Sequence, residues 1–233
     1  MGLLDLFRKR PPLDPPAAQA VQRWRQLVPE DGNIEFNAAR YVVVDVESTG
    51  LDLTRDRLIA IGAVAVIGGR IDLTDSFEVV LRQDTVSSKD NILIHGIGGE
   101  AQREGMPPAE ALAAFLGYLG KSPLVAFHVT FDETMIRRAM REYLGLDFKH
   151  PWLDLAYLMP SLLPEKARHY RALDDWAGHF HIANYARHSA LADALATAQL
   201  LLAALPLAKR RQSRHYNSLR DLEKAQRWVS WSG

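Results

Sequence analysis

The stretch Tyr41-Val-Val-Val-Asp45-Val-Glu47 constrains this chain more than any other. Its β-branched run reads as a buried strand. Residues two apart on a strand share a face. Asp45 and Glu47 therefore face one cleft while Val46 faces away. Two carboxylates this close raise each other's pKa unless a cation sits between them. An apolar strand that ends in a same-face acid pair thus asks for a metal. The plainer reading has one acid starting a turn and the other paired with Arg55 or Arg57.

Around this strand the pattern continues as an α/β domain. Residues 58–67 form a second apolar run, Gly68-Gly69 a tight hairpin turn, and Arg70–Leu81 a third, alternating strand. Residues 108–120 read as a helix with proline at its start and glycine past its end. Pro123–Phe127 is a fourth strand. Thr130-Phe-Asp-Glu133 has the form of a capping box, with Thr130 as cap. A short strand near 152–155 and helices near 155–163, 171–180, 189–205 and 217–228 complete the series. A hairpin first and alternating helix and strand afterwards predict a mixed central sheet with helices on both faces. Residues 1–39 read as an N-terminal extension, with a proline-rich linker to residue 16 and a short helix over 17–28. Residues 40–205 form the main domain and 206–233 a basic helical tail.

Composition narrows the chemistry. The 233 residues suit one domain with extensions, or at most two small ones. Cysteine is absent, which excludes disulfides, thiolate zinc sites and a catalytic thiol. Oxygen and imidazole remain as ligands, and a carboxylate-rich set favours Mg²⁺ or Mn²⁺. The net charge of zero is unevenly spread: −6 over residues 32–205 and +5 over 206–233. An acidic body with a basic tail suits a metal-binding core that meets a polyanion, and equally a solvated basic helix. No stretch approaches the ~20 apolar residues of a membrane span. The start is too short and too acidic for a signal peptide, so the expected location is cytoplasmic. The amphipathic Leu3, Leu4, Leu6 and Phe7, followed by Arg8-Lys-Arg10, offers a weak case for membrane contact.

Three further residues carry chemistry. Asp132 stands at the start of a helix, where the dipole favours a carboxylate. It also lies at the carboxyl edge of the sheet, where sites in α/β folds form. His188 precedes a helix for which Ser189 is a plausible cap. Asp193 follows on that helix among small alanines, which leave room for another backbone or a ligand.

Together these residues carry a resemblance. Val43-Val-Asp-Val-Glu-Ser-Thr-Gly50, Leu124-Val-Ala-Phe-His-Val-Thr-Phe-Asp132, His188 with Asp193 five residues on, and Ile94-His-Gly-Ile97 occur in order. In this the chain resembles the DEDDh 3′–5′ exonucleases, the group that includes the proofreading epsilon subunit of bacterial DNA polymerase III. The resemblance implies a ribonuclease H-like fold. It implies Asp45, Glu47, Asp132 and Asp193 as ligands of two Mg²⁺ or Mn²⁺ ions, and His188 as general base. It places Thr49, Gly50, Leu51 and His95 at the terminal nucleotide of a single-stranded 3′ end. His128 stands beside Phe127 where the family has His-Asn, and an imidazole there takes the asparagine's place against substrate.

Three alternatives stay open: an RNA-directed exonuclease of the same chemistry, a non-catalytic nucleic-acid-binding module, and an accessory subunit of a DNA polymerase. In the last, the tail with Tyr216, Trp228 and Trp231 either contacts nucleic acid by charge and stacking or packs on the body.

Overall fold

The computed structural model describes residues 13–184 and 186–232, the last three of these as backbone only. The expectations placed on Leu3–Phe7, and on the side chain of Trp231, lie outside the described residues. In chain order the elements are helix α1 (Pro15–Gln26), then strands β1 (Arg40–Ser48), β2 (Leu58–Ile67) and β3 (Arg70–Val80). Helices α2 (Lys89–His95), α3 (Gly99–Glu104) and α4 (Pro108–Leu119) follow. Next come β4 (Leu124–Ala126), α5 (Val129–Leu144), β5 (Trp152–Asp154), α6 (Leu155–Leu162), α7 (Leu173–His179), α8 (Ala190–Arg210) and α9 (Tyr216–Ser232).

The five strands form one sheet in the order β3-β2-β1-β4-β5. The β1–β2 and β2–β3 pairs are antiparallel, and β1–β4 and β4–β5 are parallel. This is the expected mixed sheet with its hairpin, and helices cover both faces. Alternation along β1 sorts the core. Val42, Val44 and Val46 pack with α1, α4 and α5 on one face. Tyr41 and Val43 pack with α6, α8 and α9 on the other. Asp45 and Glu47 continue that second series, so strand periodicity aims both at the face that α8 covers.

At Gly62 the α8 helix meets the sheet backbone to backbone. A Cβ there would lie 2.1 Å from the Leu191 nitrogen and 2.2 Å from the Ala190 carbonyl carbon. Gly62 is also the cross-strand partner of Asp45. The first turn of α8 can therefore settle directly over the acid pair because β2 has no side chain at this point. Ala190, Ala194, Ala196 and Ala198 are all buried as the helix continues. The small residues noted in the sequence thus admit another backbone.

Several local expectations need correction. The linker expected through Pro16 gives way to helix at Pro15, since proline at the first helical positions needs no N–H partner. Helices α2 and α3, in the stretch between β3 and α4, are absent from the sequence expectations. Thr130 caps nothing. Helix α5 begins at Val129, with His128 as its cap in the left-handed region at φ 65°. Ser189 holds the cap position of α8 but makes no side-chain cap bond. Helix α8 runs uninterrupted through Pro206, so the boundary expected at 205/206 falls inside one helix. At 21 residues and mean hydropathy 1.7, α8 is long and apolar enough to cross a membrane. It lies instead along β1 and β2 as the central helix of the second core.

Replacing Gly62 with alanine forces a Cβ into that backbone contact. The expected cost is about 1–3 kcal/mol of stability, the usual range for overpacking. Urea denaturation of purified protein measures it; an unchanged midpoint would show that α8 can lift without penalty.

Candidate active site

The site is built from β1 and the first turns of α8 and α5. Each of Asp45, Glu47 and Asp193 offers a carboxylate oxygen, and these three atoms lie within 4.8 Å of one another. Among the described residues, this is the one group of His, Cys, Asp or Glu side chains close enough to hold a metal ion. Asp132 does not belong to that group. It is buried on the first turn of α5 and reaches the cluster over the strand ends, close enough to raise the pKa of Asp45.

Electrostatics show how crowded the acids are. Burial, then Asp132, Asp193 and Glu47 in that order, push Asp45 well above the usual carboxylate range, and Arg187 opposes them. Glu47 is pushed up to about 8 by desolvation and then by Asp193, again with Arg187 opposing. Asp132 is also raised well above normal, mainly by burial and then by Asp154 and Glu47; its own backbone and that of Val46 pull it down. Oxygen donors that repel one another in a partly dry pocket fit a hard divalent cation.

Arg187 provides positive charge from the chain itself. Its Nη1 donates to Asp193 Oδ1 at 2.6 Å, and its Nε lies 3.0 Å from Asp174 Oδ1 on α7. Asn184 also donates to Asp193 Oδ1, and the backbone N–H of His188 donates to Oδ2 at 2.9 Å. Three chain donors therefore hold Asp193, whose side chain is 6% exposed. His188 stands in the left-handed region at φ 63°, with its side chain exposed and its backbone tied to Asp193. The spacing of five residues is what lets Asp193, one turn into α8, reach back to that amide.

The residues expected at substrate divide into two sets. Leu51 is 85% exposed at the mouth of the β1–β2 turn. His128 is exposed as well, with Nε2 3.2 Å from the Arg171 carbonyl oxygen and its ring edge-on to Phe127. Thr49, Gly50 and His95 are engaged within the protein. Thr49 donates its N–H to the Arg57 carbonyl and its hydroxyl to Asp56. A Cβ on Gly50 would come within 2.5 Å of the Asp56 carboxylate. Both residues of this Thr-Gly pair thus pack closely against Asp56. Buried His95 accepts the Ile97 N–H at Nδ1, which leaves Nε2 to donate to Ser87 Oγ at 3.3 Å. Burial lowers its pKa, in keeping with a neutral ring.

Sequence reasoning missed Arg187, Asn184 and Asp154. Arg187 precedes His188, so adjacency was its only signal. Asp154 had none, because its role arises from partners 25 or more residues away. Its carboxylate accepts from the His128 and Val129 N–H groups and from Arg227.

Three carboxylates gathered at the end of a strand in a mixed sheet form a set of oxygen donors suited to a divalent cation. The comparisons with known proteins agree. The exonuclease (RNase T) family matches residues 42–201, and the chain belongs to that family. It is an exonuclease domain, with the DEDDh motifs in order. It is 35% identical over 175 residues to the PolC-type DNA polymerase III of Thermotoga maritima, covering 75% of this chain and 12% of the relative. The chain thus spans about an eighth of that curated relative's length. Among solved structures it superposes on the zinc-bound form of the Escherichia coli exonuclease I–single-stranded DNA complex. The TM-score is 0.61 at 20% identity, over 79% of this chain and 42% of that one. Exonuclease X in complex with 5′-overhanging duplex DNA gives TM-score 0.60 at 20% identity, over 78% of this chain and 99% of that one. These two likenesses establish the fold.

Two outcomes follow from the charges. Glu47 takes up its proton more readily in the folded state than unfolded, so metal-free protein binds extra protons between about pH 4.5 and 8. Its stability should fall as pH rises through that window, and Glu47→Gln should flatten the fall. Thermal melts in EDTA across this range measure both; equal slopes in the two proteins would refute the assignment. In addition, Arg187→Gln removes a cation from Asp193 and should tighten Mn²⁺ binding, read by electron paramagnetic resonance of free Mn²⁺. Weaker binding would mean that Arg187 serves the site by orienting Asp193 rather than by competing for it.

Proposed function

We propose that the chain is a 3′–5′ exonuclease that releases nucleoside 5′-monophosphates from single-stranded DNA ends with two divalent cations and a histidine base. The observation that carries this reading is the cluster of Asp45, Glu47 and Asp193 oxygens within 4.8 Å of one another. These three would hold one Mg²⁺ or Mn²⁺, and Asp132 with Asp45 a second. When bound, the cations supply the charge that stabilises the developing oxyanions and makes a water acidic enough to lose its proton near neutral pH.

The chain's own residues do the rest. The His188 imidazole takes the proton from the attacking water, as a general base does. The water oxygen joins phosphorus as the bond to the 3′-oxygen of the penultimate nucleotide breaks. That oxygen takes a proton from solvent, and His188 returns its own to solvent. The Asp193 carboxylate, by accepting the His188 N–H, sets where the base stands. Exposed Leu51 packs against the terminal base and exposed His128 meets the substrate backbone. Thr49, Gly50 and His95 complete the terminal-nucleotide site on the side of Leu51.

DNA is favoured over RNA because the similar proteins are DNA polymerases and two of the similar structures hold DNA. The same relatives support a DNA polymerase as partner and a cytoplasmic location. Product analysis on 5′-labelled DNA and RNA with Mg²⁺ or Mn²⁺ tests reaction, polarity and polymer together. His188→Ala should cut the rate on the order of 10²–10⁴-fold, the usual worth of a general base. Asp45→Ala should abolish turnover with the fold intact by circular dichroism. Wild-type rates in His188→Ala would remove the assigned base, and turnover that survives full chelation would remove the cations.

A further inference from the structure

The acidic end of α5 is held by a carboxylate outside the proposed catalytic set. Helix α5 carries Asp132 on its first turn and His128 at its cap, and that cap has no side-chain bond of its own. The first N–H groups of a helix lack intrahelical partners. Here Asp154, the last residue of β5, supplies them. Its Oδ1 accepts from the His128 N–H at 3.0 Å and its Oδ2 from the Val129 N–H at 3.2 Å. Oδ1 also accepts from the Ala156 N–H at 3.0 Å, at the start of α6. One carboxylate, 1% exposed, thus caps two helices.

A buried carboxylate is costly without a cation, and the cation comes from the C-terminal helix. Arg227 on α9 donates Nη2 to Asp154 Oδ2 at 2.9 Å. Its guanidinium lies 4.2 Å from the centre of the Tyr157 ring. Its Nε pairs at 2.7 Å with Glu223, which is fully buried and pairs also with Arg220 at 2.6 Å. Tyr216, at the head of α9, donates its hydroxyl to the Trp152 carbonyl on β5. Leu219 is wholly buried in the second core. Two of the tail's seven cations are thereby spent inside the protein. This helix grips the strand that carries Asp154.

We propose that Arg227 is a positioning residue for the active site: it holds Asp154 in place, and Asp154 in turn fixes the end of α5 from which His128 and Asp132 project. The inference rests on the exonuclease reading for its effect on turnover, while its structural half stands by itself. Asp154 touches neither substrate nor cation in this scheme. Outer partners of this kind typically change activity 10–100-fold when removed.

The test uses the full chain with Arg227→Met, Arg227→Lys, Glu223→Gln, Asp154→Asn and the Arg227→Met/Asp154→Asn double variant. Hydrogen exchange followed by mass spectrometry reads the segment 126–134. Turnover of single-stranded DNA is measured well below the melting temperature of every variant. Arg227→Met should speed exchange in 126–134 on the order of tenfold and lower kcat by a similar factor, with β2 and α8 unchanged. Arg227→Lys should recover part of both. The double variant should be no worse than Asp154→Asn alone, because both act through one carboxylate. Should Arg227→Met fail to fold, Glu223→Gln, which loosens Arg227 without removing it, must show the same local exchange. A lower melting temperature with unchanged exchange in 126–134 and unchanged kcat would overturn the proposal and leave α9 as a cover for the core. Additive losses in the double variant would overturn it as well. Faster exchange in a protein whose wild type cuts no nucleic acid would instead reject the exonuclease reading and leave the positioning role standing.

Discussion

The site depends on a place where two backbones touch. Gly62 lets the start of α8 rest on β2 directly across from Asp45. A side chain there would lift the helix and carry Asp193 and His188 with it. The alanines along α8 extend the same close approach down the sheet. Close packing thus sets the distance between acids that come from elements nearly 150 residues apart. Interiors packed this tightly respond to a single methyl group.

Such closeness works against stability. Burial and mutual repulsion hold the pKa values of Asp45, Glu47 and Asp132 above the usual carboxylate range. The protein offsets part of this with its own cations. Arg187 stands against Asp193, and Arg227 stands against Asp154, which itself repels Asp132. Strain of this kind is expected where a site is arranged for a ligand it does not itself contain. The two arginines differ in reach. Arg187 touches a proposed ligand directly, whereas Arg227 acts one carboxylate away.

Much of this was legible in residue order. The β-branched runs, the Gly68-Gly69 turn and the helical periodicities located all five strands and the larger helices. Period-two alternation placed Asp45 and Glu47 on one face. The limits were local and have physical causes. Thr130-Phe-Asp-Glu133 has the form of a capping box, yet α5 starts earlier because the Asp154 carboxylate offers its first amides a better acceptor. Ser189 holds the cap position of α8 without a side-chain cap bond, and Asp193 binds the His188 amide from within the helix. The bonds of Thr49 and His95 to Arg57, Asp56, Ile97 and Ser87 carried no signal in residue order. The basic tail read as ambiguous, since charge counting cannot tell a solvated arginine from a buried one.

The sequence by itself determined which atoms this protein has for its chemistry and on which side of each element they stand. Periodicity is local, and so are the Asp-x-Glu pair and the reach from Asp193 back to His188. Only the tertiary structure decided which distant groups meet. The pairing of Arg227 with Asp154, of Arg187 with Asp174 and of α8 with Gly62 spans 73, 13 and about 130 residues. Such contacts follow from how layers stack, and a carboxylate buried by that stacking must find its cation wherever the fold delivers one.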